Sequence, residues 1–174
     1  AGGLALIGAG NLATAALTAS GDYRLVAIGM FVTGCGAGIM NGDTQKAIMA
    51  CVPPHRTGMA SGISTTTRFS AIVTAVGVLG AVLAASTHAR LDRLLSAAPG
   101  LRAFADAPFM SSLLAGDLAQ AFDRVPPSAA GALAQAAPVA FASGFADALT
   151  VSGVLALVTS VAAYKLLAQP MRDA

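Results

Sequence analysis

Long apolar stretches alternate with short polar ones along this chain. The apolar ones have the length that crosses a bilayer. Gly2–Ala19, Leu25–Gly42, Phe69–Thr87 and Ala148–Ala168 carry a single formal charge between them, Lys165. An apolar core ~30 Å thick takes about 20 residues of helix. Continuous apolar runs, with no alternation of period two, are the signature of spanning helices, whose backbone groups are all satisfied within the segment. The pattern predicts an all-α, polytopic membrane protein with four transmembrane spans at about 2–19, 25–50, 58–87 and 138–168.

The polar interruptions set the boundaries. Ser20-Gly21-Asp22-Tyr23-Arg24 reads as a short turn, with Tyr23 suited to the headgroup region. Pro53-Pro54 ends the second helix near Cys51, and the third starts near Gly58. The last helix is expected to begin around Pro138, a favoured first-turn residue, and to run past Asp147 to an anchor of Tyr164, Lys165 and Arg172. Residues 88–137 form the one long non-spanning region. Leu91–Leu95 and Ser111–Phe122 have amphipathic spacing there, broken by prolines 99, 108, 126 and 127. This predicts an outer surface loop with one or two short interfacial helices, and too little apolar mass for a core of its own.

Small and polar residues inside the spans follow patterns. Asn11 lies in the first span beside a ridge of Gly10, Thr14 and Thr18. Gly34, Gly38 and Gly42 recur every four residues in the second, with Gly36 between them. Missing side chains let helix backbones approach closely in lipid, so helix packing is the first reading and a hinge or substrate-path wall the second. Gly58, Gly62, Thr66, Ser70 and Thr74 form a further ridge, and the sequence suggests that Arg68 sits beside it. A charge at the bilayer centre costs about 2.5–3.5 kcal/mol on insertion scales. Arg68, ten residues beyond Gly58 and so about 15 Å along the helix, either reaches a central cavity or snorkels to headgroups. Asp43, with Lys46 three residues on, is either a proton-carrying carboxylate or half of a solvated pair. Asn11 is either an interhelical hydrogen-bonding group or a ligand contact.

Composition agrees with the membrane reading. Hydrophobic residues make up 56% of the 174 and charged ones 10%, too few to cover a water-soluble domain. A net charge of +2 with scattered basic residues gives no nucleic-acid footprint. Cys35 and Cys51 lack metal-ligand spacing and read as small packing residues. The sequence contains no nucleophile–base set, phosphate loop or metal cluster, so neither enzymatic activity nor a cofactor is expected. Lys46, His55 and Arg56 lie on the same side as Lys165 and Arg172, whereas bases and acids balance across 88–137. The positive-inside rule then puts the C-terminus and residues 43–57 in the cytoplasm and the long loop outside, in a multi-pass protein of the cell's inner (plasma) membrane. Ala1 lies inside an apolar run with neither Met nor a basic leader before it. This suggests the C-terminal portion of a longer polytopic protein; a four-helix protein with a trimmed initiator is the alternative.

Gly34-x-Gly36-x-Gly38, then Val52-Pro53-Pro54-His55-Arg56-Thr57-Gly58-Met59-Ala60-Ser61-Gly62 and Thr67-Arg68, resemble the major facilitator superfamily. The segment Ala140-Phe141-Ala142-Ser143-Gly144-Phe145-Ala146-Asp147-Ala148-Leu149 resembles the lead-in to the final helix of its fourteen-helix drug:proton antiporters. That branch usually continues from the arginine with Gln-Leu-Gly-Gly-Ala-x-Gly, whereas this chain has Phe69-Ser70-Ala71-Ile72-Val73-Thr74-Ala75. The resemblance implies helices eleven to fourteen of a proton-coupled multidrug efflux transporter. It implies small amphipathic or cationic drugs and protons as cargo, and upstream helices of the same transporter as partners. Arg68, Asp43, Asn11, Thr66 and Ser70 are then the transport candidates. Four helices cannot supply the two rocking halves of alternating access, so the chain alone is not expected to transport. The competing expectation is a small four-helix membrane interaction or assembly protein that oligomerises through its glycine ridges.

Overall fold

The computed structural model describes residues 1–18, 23–96, 99–123 and 125–168, and among them it contains helices and turns but no strand. The helices are α1 (Gly2–Thr18), α2 (Tyr23–Ala50), α3 (Thr57–Leu94), α4 (Pro99–Arg102), α5 (Ala107–Ala115), α6 (Leu118–Phe122) and α7 (Pro127–Ala168). Among the described residues, three helical stretches are long and apolar enough to cross a membrane: Arg24–Ala50, Pro54–Leu94 and Pro127–Leu166. The apolar α1 has 17 residues, about 25 Å of helix, less than the ~30 Å of an apolar bilayer core. By contrast, α3 with 38 residues and α7 with 42 run about 57 and 63 Å, roughly twice that thickness.

The chain divides into two compact units, one of Ala1–Leu79 with Leu149–Ala174 and the other of Gly80–Ala148. In the first, α1 lies between α2 and the second half of α7. Gly3, Ile7, Gly10 and Thr14 meet Gly29, Thr33, Gly36 and Met40 of α2, while Gly8 and Leu12 meet Gly153 and Leu157 of α7. α2 stops at Ala50, where Cys51 N–H still reaches the Ile48 carbonyl before Pro53-Pro54 ends the ladder. A 3₁₀ turn at Pro54–Arg56 leads directly into α3.

In the second unit, residues 88–137 are more ordered than their sequence suggests. α3 continues through Leu94 and α7 already starts at Pro127. Leu91 of the one, Leu95 just beyond its end, and Leu133, Ala137 and Ala140 of the other enclose Phe109, Met110 and Leu113 of α5 and Ala121 of α6. The region therefore has a core of its own, in place of the expected loop with interfacial helices. Its apolar mass comes largely from the connecting segment, with Phe109, Met110 and Leu113, and is completed by the helix ends that flank it, with Leu91 and Leu133. Each fully buried Leu or Phe contributes about 1.5–3 kcal/mol relative to exposure.

Local chemistry closes this small fold. The Asp106 side chain accepts from Phe109 N–H at 2.9 Å and caps α5, and Asp117 accepts from Gln120 N–H at 3.0 Å and caps α6. Between them Gly116 takes a left-handed φ of 79°, so that its N–H reaches the Leu113 carbonyl and the Asp117 N–H that of Ser112. The chain reverses there and brings Phe122 edge-on to Phe109, with ring centroids 5.6 Å apart.

Pro138 lies inside α7 rather than at its start. The helix begins instead at Pro127, where the Pro126 carbonyl accepts from the Ala129 and Ala130 N–H groups. Pro138 is solvent-facing and removes the donor that would bond the Ala134 carbonyl. Thr87 and Gly144 bring α3 and α7 together in this unit: a Cβ at Gly144 would collide with the Thr87 hydroxyl and lie 2.8 Å from the Leu83 carbonyl.

Candidate functional site

The most developed polar constellation is built on α1. With about 100° of rotation per residue, Gly3, Ile7, Gly10 and Thr14 share one face of α1, and Gly8 and Leu12 share another about 150° away. Asn11 falls between the two faces and is 8% exposed. Its amide nitrogen donates to Ser152 Oγ of α7 at 3.0 Å, and its amide oxygen accepts from Thr33 Oγ1 of α2 at 3.1 Å. One side chain thus joins three helices, using its donor and its acceptor in opposite directions. The Thr33 hydroxyl has one proton, shared between Asn11 Oδ1 and the Gly29 carbonyl, each at 3.1 Å. Thr14 turns its hydroxyl back to the Gly10 carbonyl at 2.8 Å, and Ser160 of α7 donates to the Ala1 carbonyl at 2.8 Å. In a hydrocarbon setting such bonds replace water as the partner of each polar group.

Glycines allow this approach. A Cβ at Gly10 would collide with Thr33, and one at Gly29 with Thr14. One at Gly8 would lie 3.0 Å from the Gly153 carbonyl, and one at Gly36 2.8 Å from the Gly3 carbonyl.

Of the residues the sequence singles out, Asn11 and Gly36 are part of this cluster. A Cβ at Gly34, Gly38, Gly42, Gly58 or Gly62 would meet no atom within 4 Å among the described residues. Gly34, Gly38 and Gly42 lie about 140–220° round α2 from Gly29, on the side away from α1. The side chain of Asp43 lies outside the described residues, as does the turn at 20–22. Arg68, Thr66 and Ser70 are exposed on α3.

The continuous helix alters the setting of Arg68. It stands about 160–200° from Thr66 and Ser70, so it lies across the helix from that ridge rather than beside it. Its neighbours at i−7, i−4 and i−3 are Ser61, Ser64 and Thr65. The first half of α3 therefore carries hydroxyl groups on two sides, one of them also charged.

The α1–α2 contact was legible in a signal other than the glycine stripe. Gly3-Ile7-Gly10-Thr14 and Gly29-Thr33-Gly36-Met40 share the same 4-3-4 spacing, which keeps a seam facing its partner, whereas strict 4-4 spacing drifts round the helix. Ser152 and Ser160 had no such signal, because a lone serine in an apolar helix also bonds its own backbone. Cys35 and Cys51 are both exposed. Among the described residues no group of three or more His, Cys, Asp or Glu side chains could hold a metal ion. No protein-family model, no curated protein and no solved structure matches the chain.

Proposed function

We propose that this chain is part of a proton-coupled multidrug efflux transporter, lining one wall of its central cavity and contributing an outer domain. The observation that supports this most is the first half of α3. The apolar 18-residue window of Pro54–Leu94 has mean hydropathy 2.1 and none of it is buried, yet this helix carries Arg68 with Ser61, Ser64 and Thr65 on one side. A hydroxyl-lined face that ends in a guanidinium is costly against lipid and stable against other helices or a water-filled path. In this reading α1 counts as a fourth, short span, set in the bilayer by its contacts with α2 and α7. The C-terminus and residues 43–57 are cytoplasmic, residues 88–137 are outside the inner membrane, and drugs and protons move by alternating access between this wall and helices of the same transporter.

The experiment is Arg68→Ala in the intact transporter, read as proton-driven efflux of a cationic dye from liposomes. Efflux falls while membrane abundance stays near normal, and Arg68→Lys restores part of it, since the charge remains but the planar donor fork is lost. Unchanged efflux in Arg68→Ala, or efflux by the 174-residue chain alone, would remove the reading.

A second reading rests on a different observation, the open faces at Gly34, Gly38 and Gly42 and at Gly58 and Gly62. In it the chain is a membrane interaction or assembly protein that oligomerises through these faces. A discrete oligomer of the chain in detergent, dispersed by Gly38→Leu, would favour it over the transporter.

A further inference from the structure

We propose that the unit of residues 80–148 carries a binding site for a small organic cation, a primary ammonium on a compact apolar body. It is independent of the transport reading, because every residue involved belongs to this unit and its test measures no transport.

A cleft of about 220 Å³ opens between the turn before α5, the first turns of α5, and α6. Phe104, Pro108 and Phe109 give it apolar walls, and Asp106, Ser111, Ser112 and Gln120 give it a polar rim. The rim is mostly an acceptor surface. The Ser111 hydroxyl donates to the Pro108 carbonyl at 2.9 Å, and the Ser112 hydroxyl donates to Gln120 Oε1 at 3.3 Å. Both hydroxyl protons are therefore committed, and both hydroxyl oxygens keep lone pairs for a donor. Asp106 supplies the one formal charge among the lining residues. Its Oδ1 holds the Phe109 N–H, so the partial positive end of α5 is already offset by the cap.

These features select among ligands. A carboxylate repels anions, which excludes the usual guest of a helix N-terminus. A hard divalent cation takes six to eight oxygens, more than one carboxylate and two hydroxyls provide. An ammonium carries three N–H donors to match the acceptor rim, and aromatic faces near a cation add to its binding. The volume lies below the 300–1,000 Å³ typical of drug-sized pockets, so the ligand is of fragment size.

The test uses the full chain in phosphatidylcholine nanodiscs, with benzylammonium as the probe, ligand-observed NMR as the readout and empty nanodiscs subtracted. Saturable binding is expected. Benzyl alcohol, the neutral isostere, should bind about fivefold more weakly, the value of one partly exposed ion pair. Asp106→Asn should weaken benzylammonium by about the same factor while leaving the fold intact, since Asn caps a helix as well as Asp. An unchanged far-UV CD spectrum and melting temperature in Asp106→Asn ties that loss to the charge. Absence of saturable binding, equal affinity for benzyl alcohol, or full affinity in Asp106→Asn would each overturn the proposal.

Discussion

Asn11 shows how much one side chain can do where water is absent. In water its amide would exchange partners freely. Between three helices it has two fixed ones, Ser152 and Thr33. Interhelical hydrogen bonds in membranes average about 0.6 kcal/mol, so losing both in Asn11→Ala should cost about 1 kcal/mol. Ser152→Ala should cost about half as much, because Thr33 still holds the amide oxygen. Unfolding in mixed micelles, followed by far-UV CD, measures both. Equal stability of Asn11→Ala and the parent chain would mean that the amide does not bridge the helices. The sequence marked Asn11 as either an interhelical hydrogen-bonding group or a ligand contact. Which partners it has was not legible, because Ser152 is 141 residues away and gives no local signal.

At the scale of elements, the glycines separate into those a contact requires and those it leaves free. Gly10→Ala sets a methyl against Thr33 and should destabilise by about 1–3 kcal/mol, as overpacking does. Gly34→Ala and Gly38→Ala meet open space, so helix propensity should make each neutral or more stable by up to about 1 kcal/mol in this chain. The same melts compare all three. A loss of efflux on Gly38→Ala in the intact transporter, without loss of stability in the chain, would identify that face as covered by other helices. Gly116→Ala, at φ 79°, should cost about 1–2 kcal/mol through left-handed strain. The end of α2 at Ala50 was legible, because two consecutive prolines remove donors and leave no alternative. The start of α7 was not. Pro138 suits a first turn, but an exposed ring also sits in a helix interior at the loss of one hydrogen bond, and Pro127 lies upstream with an equal claim.

At the scale of the whole molecule, the three helices long and apolar enough to cross a membrane were legible from the apolar runs alone, while the second unit was not. The amphipathic runs Leu91–Leu95 and Ser111–Phe122 were visible, but Leu133, Ala137 and Ala140, which complete their core, look unremarkable within an apolar helix. Orientation can be checked with Cys35 and Cys51 replaced. A cysteine at the exposed Ser111 should react with an impermeant thiol reagent in intact cells, and one at Arg56 only after lysis. The reverse pattern would invert the topology. The Asn11 bridge also has a consequence in time. Its bond to Thr33 spans 22 residues of chain and its bond to Ser152 spans 141. Ribosomes add about 5–20 residues per second, so on the order of ten seconds separates the emergence of the two partners. During that interval, in the proposed transporter, α1 and α2 pair in the bilayer with half of the Asn11 amide unmatched, open to any hydroxyl-bearing helix that passes. A nascent chain arrested near residue 140 should already cross-link between cysteines at positions 11 and 33, whose side chains meet across the pair. Only the emergence of α7 withdraws Asn11 from competing helices, so a helix made more than a hundred residues after α1 and α2 ends the risk of mispairing for α1.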